Sequence, residues 1–260
     1  MSAPDFGRYS EDYATHRPGF PESFFDRLER HLHLRHQRVL DLGTGPGVLA
    51  LKMAARGASV VGIDIAANQI DWAKRRAEQL GFSSRCAFHV APAEKTELPS
   101  RAFDLVTAGQ CWGWFNHEQA LAEVQRVLRP GGLLIVAHYD YLTAYSEVVQ
   151  ATEQLILQHN PAWKMAGHTG LYPHLIDRFG MAAGMRFVEQ FCYDVDESFT
   201  HESWRGRMRT CNGVGAGVLN DGQVEKFDRQ LGQLLKKRFS QQPLKIPHRV
   251  WAVVVQRRSE

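Results

Sequence analysis

Short apolar runs alternate with helical patterns between residues 36 and 139. Each run is long enough for one strand, and each following segment repeats its apolar residues every three or four positions. Runs that are apolar throughout are typical of parallel strands covered on both faces. The pattern predicts strands over 38–43, 59–65, 85–91, 103–109 and 133–139, and helices over 47–57, 67–81 and 117–132. It therefore predicts a doubly wound α/β fold on a mostly parallel sheet.

The second half of the chain is less regular. Strand-like stretches cover 186–199 and 248–258, where two more strands would extend the sheet. Helical patterns cover 144–159, 172–184 and 224–239. These helices are longer than a connection between neighbouring strands needs.

The organisation of the chain follows from these elements. We interpret 140–184 and 200–245 as helical substrate or lid elements, because their helices have no place in a plain sheet. Residues 1–35 hold a polar, aromatic stretch and then a helix, and we interpret them as an N-terminal lid segment. The segment 36–139 is the predicted ligand-binding core. We expect one domain over 1–260.

Length and composition describe an ordinary globular protein. The 260 residues are 44% hydrophobic and 23% charged, with a formal net charge of +3, which allows a full core without disulfides. The four cysteines form no C-x-x-C pair, which argues against a zinc site and suits a reducing cytoplasm. The start has no signal-peptide pattern, and no run approaches the roughly 18 apolar residues of a membrane span. We expect a cytoplasmic protein that uses no metal and no membrane.

A glycine-rich loop follows the first predicted strand. The stretch "VLDLGTGPG" carries glycines at alternate positions: Gly43, Gly45 and Gly47. The third glycine comes one position too early for the dinucleotide fingerprint G-x-G-x-x-G. Asp41 stands just before the loop, where a carboxylate repels a pyrophosphate but suits an ammonium or sulfonium group. Asp64 ends the second predicted strand, where a carboxylate accepts from ribose hydroxyls. The pair predicts a nucleoside that carries a positive charge.

Four segments, in this order, resemble the class I S-adenosylmethionine-dependent methyltransferases, especially the small-molecule branch called type 11. They are "VLDLGTGPG", "VVGIDIAANQIDWAKRRA", "AEKTELPSRAFDLVTAGQ" and "EVQRVLRPGGLLIV". The start "YATHRPGFP" and the C-terminal half are similar to trans-aconitate methyltransferase-like and secondary-metabolite methyltransferases. The resemblance implies a seven-stranded sheet whose last strand is antiparallel, with helical insertions. It implies S-adenosyl-L-methionine at the C-terminal strand ends and S-adenosyl-L-homocysteine as product.

The resemblance also implies which residues hold the cofactor. Gly43 and Gly45 would flank its methionine part, and Asp41 would bind the ammonium directly or through water. Asp64 would take the ribose hydroxyls, with Ile65 packed on the adenine.

Further cofactor contacts follow the third and fourth strands in this family. Ala93 and Glu94 occupy the positions of the adenine edge contacts. The family usually has an acidic residue just before them, whereas this chain has Pro92, which offers no side-chain acceptor. Specificity there must rest on the backbone or on other groups. Gly109 and Gln110 complete this part of the expected set.

The loop after the fourth strand is expected to border the methyl group. Methyl transfer from a sulfonium is an in-line displacement that needs aligned reactants and little water. In "GQCWGWF" (109–115), Trp112 and Trp114 would form a flat apolar wall for the acceptor. Because the two share parity, an extended segment would point both to one side. We expect one to be structural and the other to touch ligand.

Other side chains are candidates for acting on the acceptor. His138 and Asp140, at the end of the fifth strand, are candidate bases. Arg17 would pair with the methionine carboxylate or with an anionic substrate. The candidate substrate-binding residues are Tyr9, Tyr13, His168 and Tyr172.

The leading functional hypothesis is methylation of a nitrogen or oxygen of a small planar metabolite, for example a heteroaromatic of the toxoflavin-precursor type. The alternatives are a carboxylate O-methyltransferase of a small acid, similar to trans-aconitate methyltransferase, and an RNA or protein methyltransferase. The carboxylate alternative is favoured if Arg17 or the basic stretch "WRGRMR" (204–209) binds an acid. Otherwise "WRGRMR" and "LKKRF" (235–239) are interpreted as solvated helix faces. The chain has "GQCW" where base amino-group methyltransferases carry an Asn/Asp-Pro-Pro-aromatic tetrad, so we expect a small-molecule partner rather than nucleic acid.

Overall fold

The computed structural model describes residues 8–180, 182–217 and 219–259. Residues 1–7 of the expected N-terminal lid and residue 181 of the predicted helix 172–184 lie outside the described residues. The helices are α1 Ser10–His16, α2 Glu22–Leu28, α3 Val48–Ala55, α4 Ala67–Gln79, α5 His117–Val127, α6 Glu147–His159, α7 Pro173–Gly180, α8 His201–Arg209 and α9 Asp221–Arg238. The strands are β1 Arg38–Leu42, β2 Ser59–Asp64, β3 Cys86–Val90, β4 Phe103–Gly109, β5 Leu128–Tyr141, β6 Met185–Phe199 and β7 Leu244–Arg257.

The strands form one seven-stranded sheet in the order β3-β2-β1-β4-β5-β7-β6. Strand β1 pairs in parallel with β2 and with β4, β2 pairs in parallel with β3, and β4 with β5. The predicted seven-stranded, mostly parallel, doubly wound sheet is confirmed. The strand order changes direction between β1 and β4, and ligands of such sheets bind beyond the carboxyl ends of the strands at this switch point.

Helix α5 ends five residues before the predicted limit of 132. Its last residue is Val127, and Leu128 already pairs with Phe103 of β4. Pro130 has no backbone N–H to continue a helical ladder, and Gly131 has a φ of 77°. These two residues cannot extend the helix, so the "PGG" stretch belongs to β5 instead.

The chain divides into two compact units. The sheet unit comprises, in its described parts, Gly19–Tyr139, Tyr172–Tyr193 and Val250–Glu260. The helical unit comprises, among the described residues, 8–18, 140–171, 194–217 and 219–249. Strands β5, β6 and β7 each contribute residues to both units. The assignment of 1–260 to one domain stays a prediction.

Each unit has its own hydrophobic core. In the sheet unit, the central strands bury residues such as Leu40, Val106 and Leu134. In the helical unit, α6, α8 and α9 bury residues such as Trp204 and Phe227. The strand residues of the first core come from the apolar runs, and the helix residues of the second come from apolar stripes.

Helix α9 shows how local sequence sets an element of the helical unit. Asn220 and Gln223 form a reciprocal capping box, in which each side chain accepts from the other residue's backbone N–H. The helix then buries one stripe: Val224, Phe227, Leu231 and Leu235. The apolar stripe alone predicts a start at 224. The cap places the start at Asp221.

Candidate active site

The glycine loop after β1 is held in a conformation that glycine favours. The φ angles of Gly43, Gly45 and Gly47 are 57°, 54° and 77°. A Cβ on Gly43 would lie 2.8 Å from the Cβ of Cys111, whereas a Cβ on Gly45 would meet no atom within 4 Å. The loop therefore packs on its own unit at Gly43 and leaves open space at Gly45, where a ligand can approach the backbone.

The loop is also fixed from helix α4. The Arg76 guanidinium Nη1 donates to the carbonyl oxygen of Pro46 at 3.0 Å. Burial lowers the pKa of Arg76, but the side chain keeps its charge near neutral pH. The sequence signal for this contact is weak, because Arg76 lies 30 positions beyond the loop. We regard Arg76 as a positioning residue that sequence reasoning missed.

Asp41 lies buried in β1, level with Gly62 of β2 and Thr107 of β4. Its Oδ1 accepts from the Thr107 hydroxyl at 2.6 Å, and its Oδ2 accepts from the Thr44 hydroxyl at 2.7 Å. Burial raises the pKa of Asp41 to about 6, against the effect of these two hydrogen bonds. The two hydrogen bonds therefore fix the orientation of the carboxylate, and its pKa of about 6 lies about one unit below neutral pH.

Asp64 joins the end of β2 to the glycine loop. Its Oδ2 accepts from the backbone N–H of Gly45 at 2.9 Å, and its Oδ1 accepts from that of Ala66 at 2.9 Å. Burial raises the pKa of Asp64, while the N–H groups of Ala66 and Gly45 oppose the shift. Both oxygens keep lone pairs for further donors, so the carboxylate suits a diol.

Apolar side chains stand exposed beside Asp64. Ile65 is 76% exposed, and Val90, level with Asp64 at the end of β3, is 56% exposed. Exposed aliphatic side chains next to a hydrogen-bonding carboxylate can pack on a flat ring. Sequence reasoning selected Ile65 but missed Val90, although its place as the last residue of the third strand was a usable signal.

The segment after β3 is fixed to the start of α5. Ala93 is buried. The Oε1 of Glu94 accepts from the backbone N–H of Asn116 at 2.7 Å, and Asn116 caps α5. Glu94 therefore links two segments of the sheet unit. Its expected contact with adenine stays a prediction.

Gln110 shapes the loop after β4. Its φ is 66°, an uncommon value for a residue with a side chain. Its backbone N–H donates to Ala137 O at 2.9 Å, and its side-chain amide donates to Tyr139 O. A Cβ on the preceding Gly109 would lie 3.0 Å from Leu49 and 3.1 Å from Phe20. These contacts fix the direction in which the tryptophan loop leaves the sheet.

The two tryptophans differ sharply in exposure. Trp112 is 0% exposed and packs against Phe179, Phe115 and His117 at ring-centroid distances of 5.1, 5.8 and 6.0 Å. Trp114 is 49% exposed. The segment is not extended, because Trp112–Trp114 is a short 3-10 helix. With three residues per turn, positions i and i+2 point in different directions.

The other predicted residues of the sheet unit form an aromatic stack. The rings of His138 and Tyr172 stack at a centroid distance of 3.6 Å, and Tyr172 also contacts Trp251 at 5.4 Å. His138 is buried and Tyr172 is half-buried. His138 as a base and Tyr172 as a substrate contact remain predictions.

The remaining candidates belong to the helical unit. Tyr9 donates from its hydroxyl to Asp221 Oδ1 at 2.9 Å, and the guanidinium of Arg17 lies 4.8 Å from the centroid of the Tyr13 ring. His168 Nδ1 accepts from the backbone N–H of Gly170 at 3.0 Å. Asp140 lies near the end of β5. Their predicted roles toward cofactor or substrate remain untested.

The fold is that of a class I methyltransferase. It has the sheet order of this class, and the Asp64 carboxylate at the end of β2 is hydrogen-bonded to the glycine loop. Residues 40–136 match the family described as the methyltransferase domain. The resemblance to class I S-adenosylmethionine-dependent methyltransferases is confirmed at this level.

Individual relatives agree with this classification. The chain is 44% identical over 108 residues to demethylmenaquinone methyltransferase of Thermus thermophilus. The aligned stretch covers 40% of this chain and 47% of the relative. A protein of Anaeromyxobacter dehalogenans assigned as a type II methyltransferase has a TM-score of 0.63 at 22% identity, over 92% of this chain and 96% of that one. Geranyl diphosphate C-methyltransferase of Streptomyces coelicolor, solved with S-adenosyl-L-homocysteine, has a TM-score of 0.52 at 17% identity, over 91% and 76%. The chain spans about half the length of the curated relatives it matches.

Two further observations concern membranes and metals. None of the described helices is long and apolar enough to cross a bilayer. Within residues 8–180, 182–217 and 219–259, no three histidine, cysteine or acidic side chains are grouped as a metal site would require. The expectations of a cytoplasmic location and of metal-free chemistry remain predictions.

The raised pKa of Asp41 predicts a pH dependence of cofactor binding. A cationic ammonium favours the ionised carboxylate, which is lost as the pH falls through about 6. The affinity for S-adenosylhomocysteine should therefore fall roughly tenfold between pH 7 and pH 5, since each unit below the pKa removes most of the remaining ionised form. The effect on folding has the opposite sign. Between pH 3.8 and about 6 the folded state holds a proton on Asp41 that the unfolded state has lost, so the ligand-free protein loses stability as the pH rises through this range.

Calorimetric titration at both pH values checks this expectation. The Asp41→Asn variant should bind more weakly at pH 7 and show a smaller change with pH. Equal affinity of the unmodified protein at pH 5 and pH 7 would remove Asp41 from the cofactor site.

Proposed function

We propose that the protein transfers a methyl group from S-adenosylmethionine to a nitrogen or oxygen of a small planar metabolite. The observation that carries the cofactor assignment is the Asp64 carboxylate, which bonds the Gly45 N–H beside open space and stands next to exposed Ile65. A nucleoside needs this combination of a diol acceptor, an apolar ring contact and an accessible backbone. When bound, the cofactor supplies an activated methyl group on sulfur.

The chain's own residues would bind, orient and exclude water. Asp64 would hold the ribose, and Asp41, fixed by its two threonines, would fix the ammonium end. The chemical step forms one bond to the acceptor while the carbon–sulfur bond breaks, so its rate depends on alignment. An acceptor that still carries a proton also needs a base, for which His138 in the sheet unit is a candidate.

We assign the acceptor-facing role to Trp114 rather than Trp112. Trp114 is half-exposed in the loop after β4, whereas Trp112 has no exposed surface. Aromatic side chains commonly line ligand pockets, and about half of the Trp114 surface is exposed. A stacked planar acceptor would lie on the Trp114 ring and shield the sulfonium from water.

Replacing Trp114 by alanine tests this assignment. Loss of one stacking contact, about 0.5–1.5 kcal/mol, should raise KM for the acceptor about two- to tenfold. The affinity for S-adenosylhomocysteine should stay nearly constant. Phe187→Ala is the matched control, because Phe187 is also an exposed aromatic residue, on β6. Equal kinetic effects of the two substitutions would place the acceptor elsewhere.

A screen with methyl-labelled cofactor tests the function itself. The panel should contain planar heteroaromatic amines and phenols, small acids, and a quinone, because one relative is named for demethylmenaquinone. RNA and protein fractions should be included as acceptors. Label in a small planar compound supports the proposal, and label recovered only in macromolecules would overturn it.

A further inference from the structure

Arg207 of α8 is buried and forms no ion pair among the described residues. The residue is only 4% exposed, and its Nε has no hydrogen-bond partner among the described residues. The neighbouring arginines behave differently. Arg205 and Arg209 both form ion pairs with Asp228, and Arg209 also pairs with Asp12. The basic stretch is thus not one solvated face, since its central arginine points into the helical unit.

Aromatic rings compensate only part of this burial. The guanidinium carbon of Arg207 lies 4.5 Å from the centroid of the Tyr141 ring and 5.6 Å from that of Trp204. A ring face attracts a cation but does not replace a carboxylate for the N–H donors. Burial lowers the pKa of Arg207 to about 10, so the group remains charged at neutral pH. A buried charge without a counter-ion is costly.

A second arginine stands beside this one. Arg17 donates from Nε to the Thr210 hydroxyl at 2.9 Å and from Nη2 to the Thr210 carbonyl at 3.1 Å. The same hydroxyl donates to the carbonyl oxygen of Arg207 at 2.7 Å. Thr210 therefore binds both the Arg17 side chain and the backbone of Arg207, and the charge of Arg17 contributes to the lowered pKa of Arg207. The charge of Asp140 acts in the opposite direction and raises the pKa of Arg207.

We propose that Arg207 and Arg17 form a binding site for the carboxylate of a small organic acid. Neither arginine forms an ion pair among the described residues, and a bound anion would supply the missing counter-charge. A planar guanidinium matches the two oxygens of a carboxylate, and one negative charge is neutralised by one buried arginine. The site stands on the contacts of the helical unit alone. Its assignment to the methyl acceptor rests on the proposed function.

The site itself can be tested without a substrate. We expect sodium formate to raise the melting temperature above that in sodium chloride of equal ionic strength, because a ligand of the folded state stabilises it. Arg207→Gln should abolish the difference, and Arg207→Lys should reduce it, since lysine keeps the charge but loses the planar donors. Arg229→Gln is the charge-matched control on the exposed face of α9 and should respond as the unmodified protein does.

Other outcomes would overturn the site. No formate effect in the unmodified protein, or an equal effect in Arg207→Gln, contradicts it. Stabilisation by inorganic phosphate but not by formate contradicts the carboxylate in favour of a phosphate. If Arg207→Gln does not fold, Arg17→Gln supplies the same comparison and should weaken the formate effect.

Enzyme kinetics decide whether the bound acid is the methyl acceptor or a separate ligand. Planar acids and their amides would be compared as acceptors in the labelled-cofactor assay. If the acid is the acceptor, Arg207→Gln should raise its KM at least about tenfold, with unchanged affinity for S-adenosylhomocysteine. If Arg207→Gln leaves the KM of the acid acceptor unchanged, the site binds an acid other than the methyl acceptor. Absence of methyl transfer to every compound would overturn the proposed function and leave the formate result standing.

Discussion

Replacing Asp64 by alanine is expected to abolish measurable cofactor binding while the fold is retained. The carboxylate would bond two ribose hydroxyls, and each charge-assisted hydrogen bond contributes about 1.5–3 kcal/mol. The loss is therefore about 3–6 kcal/mol, or two to four powers of ten in affinity for S-adenosylhomocysteine. Asp64 also holds the N–H groups of Gly45 and Ala66, so its removal releases the glycine loop as well.

Titration calorimetry measures this loss, and circular dichroism checks the fold. Asp71→Ala is the matched control, because Asp71 is an exposed carboxylate on α4 of the same unit. It should leave the affinity unchanged. If Asp64→Ala bound the ligand as tightly as Asp71→Ala, the ribose assignment would be refuted.

Replacing Trp112 by alanine is expected to produce the largest loss of stability. The ring is fully buried against Phe179, Phe115 and His117. Removing a core aromatic side chain costs about 3–5 kcal/mol. At about 2–4 °C per kcal/mol for a chain of this size, the melting temperature should fall by roughly 6–20 °C.

A second substitution at the same position separates packing from polarity. The indole N–H of Trp112 has no hydrogen-bond partner among the described residues. Trp112→Phe removes this buried donor and keeps most of the ring, so it should cost much less than Trp112→Ala. Differential scanning calorimetry compares the two. Equal losses would contradict this account, because they would show that a phenyl ring restores none of the packing.

The parallel sheet was predictable because its strands are apolar along their whole length. The predicted runs over 38–43, 59–65 and 103–109 correspond to β1, β2 and β4, which end at Leu42, Asp64 and Gly109. The residues proposed to hold the cofactor could be selected for the same reason, since they lie at or directly after these strand ends. Helix α9 was predictable from its apolar stripe.

The orientation of single side chains was not predictable. Trp112 and Trp114 are two positions apart in the sequence. The 3-10 helix that they form turns Trp112 into the core and leaves Trp114 exposed. In "WRGRMR", three arginines at alternate positions look equivalent. Tertiary partners distinguish them, because Asp228 lies beside Arg205 and Arg209 but the rings of Tyr141 and Trp204 lie beside Arg207.

The most direct measurement of the central claim is the fate of the methyl group. The protein would be incubated with methyl-labelled S-adenosylmethionine and the panel of planar metabolites, and both products would be quantified. The account predicts label in one planar compound, an equal amount of S-adenosylhomocysteine, and neither product with Asp64→Ala. Tight binding of S-adenosylhomocysteine without transfer of label to any acceptor would contradict it.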